Sequence, residues 1–183
     1  MMSRIAIDMD EVLADTFTKQ LNWLETFRNI KIDRNSCHGK PLKATTTLED
    51  YEALYRAMKQ PDFFADIPVM SGAKEVMKQL AVHHELYIVT AAMEFPFSFN
   101  AKFNWLAEHF PYIRAEQIVF CGDKSIIHAD YMLDDSPIHL SKFIGKQLLF
   151  SASHNLNEQR FKRMLHWEDV STLLIHSYQE EKR

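Results

Sequence analysis

The stretch that decides the fold lies near the amino terminus, where residues 5–15 read Ile5-Ala6-Ile7-Asp8-Met9-Asp10-Glu11-Val12-Leu13-Ala14-Asp15. Its apolar start is typical of a buried strand, and two aspartates follow it two residues apart. Side chains at positions i and i+2 of a strand point to the same side, so Asp8 and Asp10 can face one centre. Open α/β sheets bind ligands beyond the carboxyl ends of their strands. The stretch therefore predicts both a parallel sheet and an acidic site.

Short apolar runs of the same kind recur along the chain and alternate with helical patterns. The predicted strands cover residues 4–8, 85–90, 117–121 and 131–134, with a further candidate at residues 147–150. The helical patterns are formed by Ala73, Val76, Met77 and Leu80, after a predicted N-cap at Ser71, and by Phe99, Phe103, Leu106 and Phe110. Strands that are apolar on both faces and alternate with helices indicate a mostly parallel sheet covered on both sides. We predict a three-layer, Rossmann-like α/β fold.

Residues 15–70 interrupt this alternation, and they form a connection far longer than the usual ~4–6 residues. Helical patterns occur near both of its ends, one around Phe17 and Leu24 and one at residues 48–58. The economical explanation is a small helical insertion folded over one edge of the sheet, which we call the inserted segment. The predicted organisation is a core domain of residues 1–14 and 71–183 with the inserted segment of residues 15–70. The charged tail, residues 179–183, is expected to fray.

A second acidic pair ends a later predicted strand, because Asp134 and Asp135 follow the apolar run that starts at residue 131. If the two strands are parallel neighbours, this pair lies at the same sheet edge as Asp8 and Asp10. Carboxylates without histidine or cysteine make a hard oxygen site, which favours Mg²⁺ over zinc. Structural roles stay open, since Asp10 can cap the next helix, and Asp135 and Ser136 can cap a helix that begins at Pro137.

The other two predicted strands also end in groups suited to an anion. Thr90 ends the second strand, and the small residues Ala91 and Ala92 follow it with backbone N–H groups that can face a phosphate. Lys124 follows the third strand. Lys102, on the helix after Thr90, is a further candidate phosphate contact, although a solvated lysine is favoured on so apolar a helix. Each of these groups alone is weak evidence for a phosphate site. The stronger evidence is the order in which they occur at the ends of successive predicted strands.

That order of Asp-x-Asp, Thr, Lys and Asp-Asp resembles the haloacid dehalogenase superfamily, whose members are mostly Mg²⁺-dependent phosphatases with an aspartate nucleophile. The resemblance covers nearly the whole chain, and more narrowly the chain is similar to 5′(3′)-deoxyribonucleotidases. The motifs that carry it are residues 8–15, Pro61-Asp62-Phe63-Phe64 with Pro68 and Gly72, Asp123-Lys124-Ser125 and Leu133-Asp134-Asp135. The chain departs from that family at Glu11, where glycine is usual, and at Ala91, where a second hydroxyl often follows the threonine.

The resemblance implies a two-step phosphoryl transfer. Asp8 would attack phosphorus and form an aspartyl-phosphate, while Asp10 would protonate the leaving oxygen and then accept a proton from water. Mg²⁺ would be held by Asp8, by Asp135 and by the backbone carbonyl of Asp10, with Asp134 supporting the site from behind. The predicted metal-site residues are thus Asp8, Asp10, Asp134 and Asp135, and the predicted phosphate-binding residues are Thr90, Lys124 and Lys102.

The inserted segment would act as a small cap that expels water and selects the leaving group. A small cap suits a compact phosphomonoester, most specifically a (deoxy)ribonucleoside monophosphate, with Phe17 or Trp23 as candidates either to stack on the base or to pack in the core. Alternatives are another small phosphate, such as a sugar phosphate or phosphoglycolate, or an inactive nucleotide-binding module. A dehalogenase is disfavoured because breaking a carbon–halogen bond does not need an acid such as Asp10.

Composition narrows the remaining classes of function. The 183 residues are 46% apolar and 25% charged with a net charge of −4, which is ordinary for a globular protein and argues against general binding of nucleic acid or anionic membranes. The basic cluster of Arg160, Lys162 and Arg163 is interpreted as a solvated helix face. No apolar run approaches the ~18 residues of a spanning helix, and carboxylates occur where a signal peptide would be apolar. The expected location is the cytoplasm, and the resemblance is compatible with a homodimer.

Overall fold

A parallel sheet forms the centre of the protein in the computed structural model, which describes residues 2–176. Within these residues the sheet has six strands in the order β3-β2-β1-β4-β5-β6, and every neighbouring pair is parallel. The strands are β1 Arg4–Ile7, β2 Glu85–Thr90, β3 Ile118–Phe120, β4 Tyr131–Asp134, β5 Lys146–Phe150 and β6 Lys162–Met164. The predicted Rossmann-like α/β fold is confirmed. The expected fraying of residues 179–183 lies outside the described residues.

The sixth strand corrects one interpretation. Lys162 and Arg163 lie in β6, which pairs with β5, and not on a helix. The Arg163 guanidinium donates a hydrogen bond to the Ser151 hydroxyl at 3.0 Å, so this side chain is part of the fold and not a solvated charge. A run of three residues with two charges has no strand pattern. Backbone pairing with β5 therefore decides its conformation.

The helices are α1 Thr16–Arg28, α2 Leu48–Met58, α3 Ala73–His83, α4 Phe99–His109, α5 Pro137–Lys142 and α6 Trp167–Ser171. Gly72, not Ser71, is the N-cap residue of α3, and its φ of 79° lies in the left-handed region that favours glycine. On α4 the predicted apolar face is partly wrong, because Phe103 is exposed while Lys102 and Trp105 are buried. No helix within residues 2–176 combines the length and the apolar character needed to cross a membrane.

The inserted segment contains α1 and α2, joined by short 3₁₀ turns. Its two ends lie side by side, since Asp15 N donates to Pro68 O at 2.8 Å and Met70 N donates to Leu13 O at 2.7 Å. Apolar side chains of the segment, among them Leu54, belong to the same buried cluster as the side chains under β1. The division into a core domain and a cap stays a prediction.

The order of the strands brings the predicted site residues to one edge. β1 lies between β2 and β4, with Ile7 level with Ile88 on one side and with Leu133 on the other. Because the strands are parallel and in this register, the residues that follow β1 and β4 leave the sheet together. Asp8 N still donates to Leu133 O at 2.9 Å, which ties the first aspartate to the end of β4.

Candidate active site

A cluster of buried aspartates lies at the carboxyl ends of β1 and β4. One carboxylate oxygen from each of Asp8, Asp134 and Asp135 lies within 4.8 Å of the others. Asp8 Oδ1 accepts a hydrogen bond from Met9 N at 2.8 Å, and Asp134 Oδ1 accepts one from Ser136 N at 2.8 Å. These short local bonds fix both carboxylates, so the cluster is held by the loops that directly follow the two strands.

Lys124 neutralises part of this cluster. Its Nζ lies 2.6 Å from Asp8 Oδ1 and 2.7 Å from Asp134 Oδ2, and its side chain is fully buried. Burial alone would lower the pKa of Lys124, but the charges of Asp8 and Asp134 outweigh it and raise that pKa. Burial also disfavours the charged form of Asp134, yet Lys124 and His139 outweigh it and lower the pKa of this carboxyl. The Lys124 ammonium is therefore a permanent positive charge inside the site.

For the other two carboxyl groups of the cluster, burial outweighs the compensation that Lys124 provides. Burial raises the pKa of Asp8 to about 6, with the charges of Asp134 and Asp10 acting in the same direction. Burial and the charges of Asp8 and Asp134 raise the pKa of Asp135 well above its ordinary value. Buried carboxylates that repel one another call for a further cation, and an all-oxygen donor set suits Mg²⁺. The residues present thus fit a magnesium site.

Asp10 lies beside the aspartate cluster and has its own partners. Its Oδ1 accepts a hydrogen bond from the Thr16 hydroxyl at 2.8 Å, and its Oδ2 forms an ion pair with Lys102. Its backbone carbonyl accepts no hydrogen bond from any residue in the described range. Asp15, not Asp10, caps α1 by accepting from Thr18 N at 3.0 Å, so the capping alternative for Asp10 is wrong.

The position of Lys102 differs from the solvated side chain that the sequence favours. Only 1% of Lys102 is exposed, and besides Asp10 its Nζ contacts Thr90 Oγ1 at 3.3 Å. The ammonium also lies 4.6 Å from the centre of the Phe64 ring, close enough for a cation–π interaction. The structure therefore brings Lys102 together with Asp10 and Thr90. A role in binding phosphate stays a prediction.

Two further residues, which sequence reasoning missed, hold the loop that carries Asp135. The side-chain amide of Asn155 donates to Asp135 O at 2.7 Å and to Phe150 O at 2.8 Å, and Asn155 is buried. Arg163 in turn donates to Asn155 Oδ1 at 2.9 Å. No local sequence pattern predicts these contacts, because asparagine is common in loops whether or not it contacts a distant residue.

A cavity of about 310 Å³ opens in front of Asp10, between the inserted segment and the sheet edge. Phe17, Tyr51 and Tyr55 of the inserted segment line it together with Ala91 and Lys102. Trp23, the other aromatic candidate for base stacking, packs against the buried apolar cluster instead. Charged side chains, among them Asp10 and Lys102, and aromatic side chains thus line the same cavity.

Glu11 also lines this cavity. Its φ of 58° lies in the left-handed region, and its Oε1 accepts a hydrogen bond from Phe17 N at 2.5 Å. Burial raises the pKa of Glu11 to about 8, against the opposing effect of that backbone N–H group. The residue that replaces the usual glycine is thus a half-buried glutamate next to Asp10.

The family model described as 5′ nucleotidase, deoxy (Pyrimidine), cytosolic type C protein matches residues 2–180. The chain belongs to this family. A relative from Staphylococcus epidermidis is 47% identical over 91% of this chain and 93% of its own length. A Bacillus subtilis relative named 5′(3′)-deoxyribonucleotidase is 37% identical over 93% of this chain and 98% of its own.

Solved structures agree on the fold of this family member. A haloacid dehalogenase-like protein from Agrobacterium tumefaciens superposes with a TM-score of 0.60 at 15% identity, covering 97% of this chain and all of that chain. A haloacid dehalogenase family hydrolase from Deinococcus radiodurans superposes with a TM-score of 0.58 at 12% identity, covering 97% of this chain and 96% of that chain. The predicted resemblance to haloacid dehalogenase phosphatases and the predicted enzyme class, a phosphoric monoester hydrolase, are confirmed.

Proposed function

We propose that this chain hydrolyses (deoxy)ribonucleoside monophosphates with Mg²⁺ through an aspartyl-phosphate intermediate. The observation that carries the proposal is the buried cluster of Asp8, Asp134 and Asp135 with Lys124 between two of its members. The substrate class is supported by the names of the relatives and by a cavity that suits a compact leaving group with an aromatic ring. Phosphoryl transfer to a carboxylate requires positive charges that stabilise the transferring group. The Lys124 ammonium and the proposed Mg²⁺ site would place such charges next to Asp8.

Asp8 and Asp135 would hold Mg²⁺ together with the backbone carbonyl of Asp10, while Asp134, whose oxygens contact Lys124 and Ser136 N, would support the site from behind. When bound, the ion neutralises charge on the transferring phosphoryl group. Lys124 fixes the orientation of Asp8 and Asp134 and adds a second positive charge beside the phosphate. Thr90 supplies a hydroxyl and, with the backbone after it, donors to the phosphoryl oxygens.

The chemistry proceeds in two steps. In the first, an Asp8 carboxylate oxygen forms a bond to phosphorus, the ester bond to the sugar oxygen breaks, and Asp10 gives its proton to that oxygen. In the second, a water oxygen bonds to phosphorus while Asp10 takes its proton, and the bond between phosphorus and Asp8 breaks to release phosphate. Asp10 is suited to both steps because Thr16 and Lys102 hold its carboxylate at the cavity wall.

We further propose that the inserted segment, residues 15–70, is a cap over the core of residues 1–14 and 71–183. Phe17 on this segment is the aromatic candidate that faces the cavity. Closure of such a segment excludes water from the charged site. The proposed partner is a small phosphomonoester and not a nucleic-acid polymer or a membrane. A cytoplasmic location, in line with the cytosolic type of the family description, and a homodimer complete the proposal.

The test is an Asp8→Asn variant assayed with Mg²⁺ on nucleoside monophosphates, sugar phosphates and phosphoglycolate. We expect the wild type to prefer the nucleotides and the variant to lose at least about 10³-fold in kcat, because an amide does not replace the nucleophile. Mass spectrometry after rapid quenching should find phosphate on the peptide that contains Asp8. Asp66→Asn, at an exposed surface ion pair, is the matched control. Near-normal turnover by Asp8→Asn would end this mechanism, and a preference for sugar phosphates would replace the substrate class.

A further inference from the structure

We infer that Glu11 selects the leaving group by binding a free sugar hydroxyl through its carboxyl group. The inference rests on the proposed function and deepens it. The substrates would be phosphate esters whose leaving group carries a second hydroxyl close to the ester oxygen, as the sugar of a nucleoside 5′-monophosphate does.

The backbone places Glu11 at the leaving-group side of the site. It directly follows Asp10, the residue that would protonate the leaving oxygen, and both residues line the cavity. The φ of Glu11 is 58°, in the left-handed region that glycine adopts most readily, so a glutamate at this position has an unfavourable backbone conformation. Such conformations persist only where the surrounding structure holds them in place, and they cluster at active sites and ligand-binding sites.

The carboxyl group is held in place by one of its oxygens and leaves the other available. Oε1 accepts the hydrogen bond from Phe17 N, in the first turn of α1. Oε2 accepts no hydrogen bond from any residue within the described range. Oε2 can therefore accept a hydrogen bond from a ligand in the cavity. The bond between Oε1 and Phe17 N fixes the position of the carboxyl group, and with it the position of Oε2.

The chemistry of that partner follows from the charges around it. Asp10, Asp15 and Asp135 are acidic neighbours of Glu11, and Arg34 is a basic neighbour. These carboxylates repel a phosphate oxygen. The groups that would attract it are Lys124 beside Asp8 and the lysines that line other parts of the cavity wall, Lys40, Lys43 and Lys102. A hydroxyl both donates and accepts, so it can pair with Glu11 whether or not the carboxyl group is protonated. The sugar, and not the phosphate, is the part of the substrate that fits beside Glu11.

The competing explanation is that Glu11 only fastens the first turn of α1. Asp15 performs the same task from outside the cavity, because its Oδ1 accepts from Thr18 N and its Oδ2 from the Thr18 hydroxyl. Asp15→Asn thus weakens the start of the same helix without altering the cavity wall. It is the matched control for a purely structural role.

The experiment measures kcat/KM for thymidine 5′-monophosphate and for its 3′-deoxy analogue, which lacks the free hydroxyl. We expect the wild type to prefer the hydroxylated nucleotide about tenfold or more, as for one hydrogen bond to a fixed polar group. Glu11→Gly, whose glycine adopts the left-handed backbone readily, should bring the ratio close to one. Glu11→Gln keeps an acceptor and should keep most of the preference, as should Asp15→Asn.

The outcomes separate this inference from the proposed function. If the wild type hydrolyses both nucleotides equally well, or if Glu11→Gly keeps the full preference, the assignment of Glu11 is overturned while the nucleotidase activity stands. If Asp15→Asn loses the preference as completely as Glu11→Gly, the effect comes from α1 and the assignment is also overturned. If the wild type hydrolyses neither these two nucleotides nor any other nucleoside monophosphate, both proposals fail together.

Discussion

At the scale of single residues, the ion pair of Lys102 and Asp10 is the least expected feature of the site. An ammonium inside a protein is tolerated only when a carboxylate and further polar groups surround it, and Lys102 has Asp10, the Thr90 hydroxyl and the Phe64 ring. Asp10 itself is 31% exposed at its side chain, so one end of the pair meets the cavity. We therefore expect Lys102 to act on the reaction mainly through the position and charge of Asp10.

Lys102→Met tests this role. We expect kcat to fall about 10²-fold, because Asp10 loses the group that orients it for proton transfer, while the inhibition constant of inorganic phosphate changes by less than about threefold. Steady-state kinetics with phosphate as a competitive inhibitor provide both quantities. The control is Lys78→Met on the exposed side of α3.

A parallel loss of phosphate affinity and of kcat in Lys102→Met would contradict the role through Asp10. It would instead make Lys102 a direct phosphate ligand, which is the role predicted from the sequence. The pH dependence of kcat provides a second criterion, since only a partner of Asp10 shifts the limb that reports the acid in the first step.

At the scale of elements, the loop after β5 positions Asp135. Asn155 lies in a 3₁₀ turn, Ser153–Asn155, and connects β5 through Phe150 O to the end of β4 through Asp135 O. β6 completes the arrangement because Arg163 donates to the carbonyl oxygens of Asn155 and Glu158 at 2.9 and 2.6 Å. The two strands farthest from β1 on this side therefore support a residue of the proposed metal site.

Asn155→Ala should loosen Asp135 without removing any carboxylate. We expect the affinity for Mg²⁺ to fall at least about tenfold, as found when groups behind a metal ligand are removed. The free energy of unfolding of the metal-free protein should fall by about 2 kcal/mol, since buried carbonyl oxygens lose their donor. Calorimetric titration with Mg²⁺ and urea unfolding measure the two effects.

Asn104→Ala, at an exposed position of α4, serves as the control for that experiment. Unchanged Mg²⁺ affinity in Asn155→Ala together with reduced stability would show that Asn155 supports only the fold of the loop. Unchanged values of both would remove Asn155 from the account of the site.

At the scale of the whole molecule, we expect a buried histidine to make the stability of the fold depend on pH. His84 follows α3 directly and is buried, with Nε2 2.7 Å from Leu174 O near the end of the described chain. Burial lowers the pKa of His84 below its usual value, and the charge of His83 acts in the same direction against the Leu174 carbonyl. The neutral ring is therefore the form that fits the folded protein.

Stability should fall as the pH drops below the ordinary histidine pKa of about 6.5, because the unfolded chain then binds a proton that the folded protein resists. His84→Gln, which keeps a donor for Leu174 O, should flatten this dependence. The measurement is the melting temperature of both proteins between about pH 8 and pH 5, over the range in which histidine titrates. The difference between them should change as the pH falls.

His38→Gln at an exposed position is the control for nonspecific effects of removing an imidazole. Parallel melting curves for the wild type and His84→Gln over this range would show that other groups carry the acid sensitivity. His109 and His154 are the next candidates, since burial lowers the pKa of each.

The sequence by itself determined the parallel sheet and the positions of Asp8, Asp134 and Asp135, because a short apolar run marks a strand and the polar residues after parallel strands share an edge. Tertiary structure alone decided the partners of these groups. Lys102 meets Asp10 across 92 residues of chain, and Asn155 meets Asp135 across 20. A periodic pattern records which face of an element is apolar, but it contains no information on which distant element packs there. The pairing of β6 with β5 and the burial of Lys102 both result from contacts with distant elements, so a local sequence pattern does not predict them.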